Sequence, residues 1–500
     1  MARDNGGIIG PANNPTSSTA SGVWDLPAQY QAISGGNWPP IPTIAENSLR
    51  FDKASSDYLS KTLGTPTNRK IWTVSLWLKK CNNSSGSGGQ GLIETASNGS
   101  NRGIISINST NTFQYYENSS GTTALQYSTT RLLRDISAWF HIVVAVDTTQ
   151  VTSTNRVKIY INGVQETAFN ISTAPSQNYD TNLNSATTSV IGAATPYSVG
   201  YYFDGYMSEF ILIDGQQLEP TSFGQFNANG IWTPILIGIS SYGTNGFRLK
   251  FENSASLGLD SSPNGNNFTV NNLTSIDQST DIPTNNFATL NPLAAQGGSS
   301  SGPSGVTFSN GNLEVGSVVG ETAIGNLGVD TGKWFWEVKV LTDQDGLTIG
   351  GANQYYNLDA ELGYNSPSSP ADAKVFGYYG GNGNKFITVG DGSQFTGYGS
   401  AIAVNDIVGV ALDLDGNQVT FYKNGTSQGT FSITALGSGE VYFPAVGNWS
   451  ASAITTSFNF GSPAFTIASS NSDANGYGNF EYAVPSGYYA LNTKNLAEFG

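Results

Sequence analysis

The sequence predicts an all-β protein: two antiparallel, jelly-roll-like β-sandwiches in tandem, with an extended N-terminal arm and a C-terminal tail. Three observations predict it. Charged residues make up only 11% of the chain while 60 of its 500 residues are glycine, a balance that suits sheets and turns better than long amphipathic helices. Short runs rich in β-branched and aromatic residues alternate with turn clusters in two separate series. Hairpin signals punctuate both, at Asn162-Gly163, Asp415-Gly416 and Asn424-Gly425, where the first residue tolerates the positive φ of a tight turn.

Taken in order, residues 1–45 carry Gly, Pro, Ser, Thr and Asn with three bulky side chains, Trp24, Tyr30 and Trp38. Such a segment is too polar to fold on its own core. It is expected to act as an attachment arm, ordered on a partner through those aromatics; the plainer reading is a mobile tail. Residues 46–233 hold the first series, with runs such as 72–78, 139–147 and 203–214. Residues 234–305 read as a connector with a β-hairpin, because the β-type run 247–251 is followed by the dense turn signal Asp260-Ser261-Ser262-Pro263-Asn264-Gly265. The second series occupies 306–461, and 462–500 form the tail. Asn286-Phe287-Ala288-Thr289-Leu290-Asn291 is echoed by Asn479-Phe480 with Ala490-Leu491-Asn492, which suggests a similar clasp at the end of each sandwich.

The net charge of −15, from 21 basic and 36 acidic residues, comes without the basic cluster that tracks a phosphate backbone, so nucleic acid is not an expected partner. The lone Cys81 excludes an intrachain disulfide. No secretion signal and no apolar stretch long enough to span a bilayer is present, so membrane insertion is not expected and synthesis in a cytoplasm is.

Four pieces of the first series carry a resemblance. They are Ser48-Leu49-Arg50-Phe51-Asp52 with Asp57-Tyr58-Leu59; Trp72-Thr73-Val74-Ser75-Leu76-Trp77-Leu78; Trp139-Phe140-His141-Ile142-Val143 leading to Ile159-Tyr160-Ile161-Asn162-Gly163; and Phe203-Asp204-Gly205-Tyr206. Together they resemble a concanavalin A-like, laminin-G-type lectin sandwich. The second series, with Gly332-Lys333-Trp334-Phe335-Trp336-Glu337-Val338, Asn405-Asp406-Ile407-Val408-Gly409-Val410 and Val419-Thr420-Phe421-Tyr422-Lys423-Asn424-Gly425, resembles a SPRY domain, which implies protein interaction without catalytic apparatus. The flanks Gly6-Gly7-Ile8-Ile9-Gly10-Pro11 and Gly478-Asn479-Phe480-Glu481-Tyr482 are similar to segments of virion structural proteins of marine tailed phages, cyanophages among them.

The search for chemistry is short. His141, the chain's single histidine, lies in a β-type run beside Trp139 and Phe140 and is expected to be structural rather than a catalytic base. A glycosidase needs a pair of cooperating carboxylates; Glu209 and Asp214, five apart, face opposite sides of a straight strand. Asp52, Asp57 and Asp204 are candidate calcium ligands, as laminin-G-type lectins hold calcium at a sandwich rim, although Asp before a turn is common for hydrogen-bonding reasons alone. Candidate glycan contacts, where an aromatic face stacks on a sugar and amides pair with its hydroxyls, are Tyr197, Tyr201 and Tyr202 in the first sandwich and Tyr355, Tyr356, Asn357, Asn448 and Trp449 in the second.

The resemblances imply a non-enzymatic tail fibre or other appendage on a virion's tail or capsid surface. Its arm would meet other virion proteins and its sandwich loops a host surface glycan or protein. A purely architectural role, as decoration, adaptor or fibre-base protein, is the alternative, and a glycan-degrading tailspike the lesser one. By likeness to phage fibres a homotrimer is expected; with no heptads and no collagen repeat, sandwich faces and the arm would have to build it.

Overall fold

In this computed structural model the described residues are 16, 31–32, 44–83, 89–194, 201–294, 306–317, 321–342, 345–356, 362–363, 372–389, 392–450 and 452–500. The chain divides into a unit Met1–Ile44 and a unit Ala45–Gly500. The arm residues Trp24, Tyr30 and Trp38 lie outside the described residues.

Ala45–Gly500 is nearly all β, with a short helix, Thr493–Phe499, at its end. Among the described residues no helix is long and apolar enough to cross a membrane. The first sandwich has a back sheet ordered Val164–Gln165, Val157–Ile161, Trp139–Asp147, Ile71–Lys80, Gly205–Asp214, Ser48–Phe51, Gln278–Ser279. Its front sheet is ordered Phe169–Thr173, Thr122–Leu132, Thr112–Ser119, Asn101–Ile107, Gln90–Asn98, Thr188–Ile191, Tyr58–Thr62, Thr269–Asn271. Trp72, Val74, Leu76 and Leu78 of one central back strand point into the core between the sheets, as period-two alternation requires. Their alternates face the other way, and this face is covered too: Val143, Ala145, Tyr160, Ile211 and Ile213 pack beneath Phe223 and Tyr242 of the chain that follows the strand Gly205–Asp214.

The expected connector is corrected. Phe247–Leu249 pairs with Gly205–Asp214, Thr269–Asn271 with Tyr58–Thr62, and Gln278–Ser279 with Ser48–Phe51. Residues 247–279 thus extend both sheets of the first sandwich and add Phe247, Leu249, Phe251, Leu257 and Phe268 to its core. Turn density had hidden apolar residues that only this core could bury.

The second sandwich sets a sheet ordered Thr307–Ser309, Glu314–Ser317, Ile454–Asn459, Lys333–Val340, Ile407–Asp413, Gln418–Lys423, Thr426–Ser432 beside one ordered Glu321–Ile324, Tyr442–Asn448, Leu347–Asn353, Lys374–Tyr379, Asn384–Val389, Gly392–Gly397. Asn162, Gly163, Asn424 and Gly425 take the positive φ expected of them. Between Asp413 and Gln418 the positive φ falls instead on Asn417, and Asp413 Oδ1 accepts from Gly416 N at 2.7 Å.

The echoed segments do not close one sandwich each. They pair with one another: Ala288 N donates to Leu491 O and Thr493 N to Asn286 O, both at 2.9 Å. Phe287 and Phe480 then enter one cluster with Phe335, Ala411 and Ala490. Further bonds join the two sandwiches. Arg50 Nη1 donates to Pro463 O (3.1 Å), Tyr206 Oη to Gly311 O (2.9 Å) and Asn312 Nδ2 to Cys81 O (2.6 Å). Buried Lys79 reaches Asp281 at 2.7 Å and Asn286 Oδ1 at 2.6 Å. Gly311 has φ of 72°, and a Cβ there would lie 2.1 Å from Tyr206 Oη, so the junction requires glycine.

Candidate functional site

The outer face of the front sheet is open over Thr112–Ser119 and Thr122–Leu132 and buried over most of Gln90–Asn98. Its side chains are set by register: Glu94 pairs with Ile104, Ile104 with Tyr116 and Tyr116 with Gln126, while Ser106 pairs with Gln114. Cross-strand partners share a face, so these residues stand together, opposite Phe113, Tyr115 and Leu125 in the core. Arg102, Ile104, Ser106, Gln114, Tyr116 and Gln126 floor a groove of about 380 Å³, rimmed by Gly89, Gly91, Asn108, Ser109 and Tyr201. Gly91 N donates to Tyr201 O at 2.8 Å and fixes the rim tyrosine. A Cβ on Gly91 would meet the Ala193 backbone at 2.6 Å, which explains glycine at this close approach.

One cation stands in the groove. The Arg102 guanidinium lies 5.8 Å from the centre of the Tyr116 ring, in cation–π range, and 3.5 Å from Glu94 Oε1. Glu94 is fully buried. Burial pushes its carboxyl up to about 7, against the opposing pull of Arg102, and its Oε2 has no hydrogen-bond partner. Among the described residues no carboxylate lines the groove. Segments 84–88 and 195–200, which adjoin lining residues in sequence, contain no acid either. Among the described residues a pair of cooperating carboxylates is therefore not presented here; the lining consists of two tyrosines, three amides, two serine hydroxyls, a guanidinium, an isoleucine and two glycines.

The structure sorts the other sequence candidates. Tyr201 lines the groove, Tyr202 instead packs on Tyr58 with ring centres 6.4 Å apart, and Tyr197 lies outside the described residues. In the second sandwich Asn357 is outside them as well. Tyr356 packs on the cluster of Ala352, Leu362, Val375, Phe386 and Ala445. Tyr355 is half exposed, and Trp449 rests on Tyr379 at 5.1 Å. Register separates these last two: Leu347 pairs with Asn448 and Asn353 with Tyr442, so Tyr355 and Trp449 sit beyond opposite ends of paired strands, roughly 20 Å apart at 3.3 Å per residue. They do not make one site. Asn448 is corrected: it is buried, and its amide accepts from Ser450 N (2.9 Å) and donates to Ser452 O (2.8 Å), holding a turn.

The calcium candidates are neighbours without being a cage. Asp52 accepts from Ala54 N (3.0 Å) and Ser55 Oγ (3.2 Å), and Asp57 accepts from Asp52 N (2.9 Å). Asp204 is hydrogen-bonded by Asn82. Burial, with the charges of Asp277 and Asp52, pushes Asp57 up to about 7; burial and the charge of Asp52 do the same for Asp204. Among the described residues no three His, Cys, Asp or Glu side chains converge as a metal site. Both Asp52 oxygens and Asp57 Oδ2 serve turn hydrogen bonds, and Asp57 Oδ1 has no hydrogen-bond partner.

His141 is structural in a definite way. Trp232 Nε1 donates to its Nδ1 at 3.0 Å, so Nε2 carries the proton and donates to Ser75 Oγ at 2.9 Å. Trp77 stacks on one side at 4.6 Å and Trp232 at 5.9 Å. Burial lowers its pKa to about 3, keeping it neutral. Glu209 and Asp214 are also committed. The strand is not straight, since Glu209 has φ of 49° and the register shifts there. Glu209 grips Arg248 through both oxygens at 2.7 and 2.9 Å, while Asp214 accepts from Thr67 N, Asn68 N and Asn245 N.

The fold is a tandem of β-sandwich modules, of a kind that fits a carbohydrate- or protein-binding role. Residues 53–217 match the family model of the concanavalin A-like lectin/glucanases superfamily and residues 333–462 that of the SPRY domain, so the chain carries these two domains in that order. Modules of both kinds are typically binding units rather than enzymes. A curated relative, an ATP-dependent RNA helicase, Ddx1, of Drosophila melanogaster, is 31% identical over 144 residues, 28% of this chain. The chain spans only 17% of that protein's length. Among solved structures, the SPRY domain of human HERC1 is 18% identical and matches 34% of this chain and 96% of its own, with a TM-score of 0.25. A heptameric SAP-like pentraxin of Limulus polyphemus is 14% identical and matches 35% of this chain and 78% of its own, with a TM-score of 0.26.

Proposed function

We propose that this protein binds a surface saccharide in the front-sheet groove of its first sandwich and displays that sandwich on a virion, as a tail fibre or related appendage. The observation that carries the binding half is the open groove, lined by Tyr116 and Tyr201 beside Gln114, Gln126 and Ser106. Sugars are held this way, with apolar CH faces on aromatic rings and hydroxyls on amides. The virion half rests on the resemblance of the flanking segments 6–11 and 478–482 to virion structural proteins. The SPRY domain would then carry protein contacts and the arm the attachment, within an oligomer for which a trimer is the working expectation.

The test is binding of the whole protein to a glycan array and to candidate host cells, beside a Tyr116→Ala variant and a chain lacking residues 1–45. Saturable binding lost in Tyr116→Ala but kept without the arm supports the reading. Equal binding by Tyr116→Ala removes the groove from it. One observation favours the architectural alternative: Val164, Phe226 and Ile231 are 51, 52 and 60% exposed, a grouping suited to a neighbouring subunit. A well-folded protein that binds no glycan but assembles on particles through the arm would favour that role.

A further inference from the structure

We propose that the chain cross-links itself: Lys79 Nζ forms an isopeptide bond with the side-chain carbonyl carbon of Asn286, releasing ammonia, while Asp281 relays the protons. The proposal is independent of what the front-sheet groove binds. It starts from a juxtaposition in the buried junction between the two sandwiches. Lys79 Nζ lies 2.7 Å from Asp281 Oδ2, 2.6 Å from Asn286 Oδ1 and 3.3 Å from Phe287 O. Lys79 and Asp281 are 0 and 1% exposed, and Asn286 is half-buried. An amine, a carboxamide and a carboxylate held together away from water are the three groups that this amide exchange needs.

Each group is fixed from its own side. Register places Lys79 between Trp139 and Tyr206 of the neighbouring strands. Its Nζ stands 5.5 Å from the centre of the Tyr206 ring, and Trp139 Nε1 donates to Asp281 Oδ1 at 3.1 Å. Asn286 Nδ2 donates to Ser137 O at 2.6 Å and Asn286 N to Thr493 Oγ1 at 3.0 Å. Reactants held this way react as one molecule, with effective concentrations that reach on the order of 100,000 M in well-oriented cases. A desolvated ammonium and carboxylate are costly, and passing one proton from Nζ to Asp281 leaves a neutral amine beside the amide. The Nζ lone pair then bonds to Asn286 Cγ, and the carbonyl π pair moves onto Oδ1. Asp281 gives its proton to Nδ2 and takes a second one from Nζ. As the π pair returns, the Cγ–Nδ2 bond breaks and its electrons leave with ammonia. A secondary amide and a protonated Asp281 remain, so the buried ion pair has become neutral. The bond joins residues 207 apart in the chain and ties strand Ile71–Lys80 to the segment that pairs with Leu491 and Thr493. Closing so long a loop removes entropy from the unfolded chain, a covalent staple that the lone Cys81 cannot supply.

The experiment is mass spectrometry of the whole protein, folded and then denatured, followed by proteolytic peptide mapping. The expected result is an intact mass lower than the sequence requires by one ammonia, and a branched peptide that joins the segment containing Lys79 to the segment containing Asn286. Asp281→Asn keeps the shape of the relay but cannot accept the proton, and Lys79→Arg keeps the positive charge but lacks the amine. Both variants should yield linear peptides and lose no ammonia. Where a variant fails to fold, the peptide map of the unaltered chain decides alone. Linear peptides carrying Lys79 and Asn286 separately overturn the proposal. So does a branched peptide that joins Lys79 to Asp281 with loss of water, or an ammonia loss that maps to a cyclised Asn-Gly pair with Lys79 left free.

Discussion

The two sheets of the first sandwich share one core and differ on their outer faces. The back sheet is closed on both sides: strands Ile71–Lys80 and Gly205–Asp214 are buried along almost their whole length. The front sheet is closed on both sides at Gln90–Asn98, which is buried over most of its length, and on one side at Thr112–Ser119, which alternates between buried and half-buried positions. Closing a sheet turns its outer residues into structural parts that must be paired or packed, which is the state of Lys79, Trp77 and His141. Where the sheet is open, outer residues such as Gln114, Tyr116 and Gln126 line a groove instead of a packed interface. On the proposed reading, stability and recognition are divided between the sheets.

That division can be broken deliberately. The largest effect is expected from Lys79→Ala, which strands Asp281 in the buried junction. Unfolding in denaturant should show a loss of about 3–5 kcal/mol, and a loss under about 1 kcal/mol would mean the junction relaxes or admits water. Next comes His141→Phe, which keeps a stacked ring between Trp77 and Trp232 but orphans Ser75 Oγ and Trp232 Nε1. The expected cost is about 1–3 kcal/mol with saccharide affinity unchanged; a selective loss of binding would reopen a functional role for the imidazole. On the open sheet, Tyr116→Ala should change stability by no more than about 0.5 kcal/mol while weakening saccharide binding about tenfold or more, as calorimetry would read.

The mildest perturbation is pH. Asp57, Glu94, Asp204 and Glu337 are each raised by burial to about 7, above the 3.8 or 4.5 ordinary for Asp and Glu. Between those values the folded chain holds protons that the unfolded chain has released, so stability grows as pH falls from 7 and is lost as pH rises toward it. His141, lowered from 6.5 to about 3, and Lys80, lowered from 10.5 to about 8, act in the opposite sense over their own windows, two groups against four. The melting temperature should therefore rise between pH 8 and about 6; a steady fall over that range would show that the carboxyls are not buried as described.

The same contrast governs what could be read from the sequence. Back-sheet strands announce themselves, because Trp72, Val74, Leu76 and Leu78 alternate with residues that are also buried and the run reads as β throughout. In the front sheet, Thr112–Ser119 and Thr122–Leu132 alternate core residues with Gln, Asn, Ser and Thr, which in a chain so rich in turn formers look like loops. The groove sheet was consequently the less legible one, and of its lining only Tyr201 was singled out. Period-two alternation of Phe113, Tyr115 and Glu117 against Gln114, Tyr116 and Asn118 was the available signal. Asn448 misled because Asn serves turns as readily as ligands, and spacing does not say which.

Sequence by itself determined the all-β class, the order of the two sandwiches, the structural character of His141 and the positive-φ turns at Asn162 and Asn424. These follow from composition, alternation and local backbone sterics, which act within a few residues. Tertiary structure decided that residues 247–279 complete the first sandwich, that the two echoed segments pair with each other, and that Arg102, Tyr116 and Gln126 meet in one groove. Those outcomes depend on strand register between segments far apart in the chain, and register is set by which apolar faces find a common core.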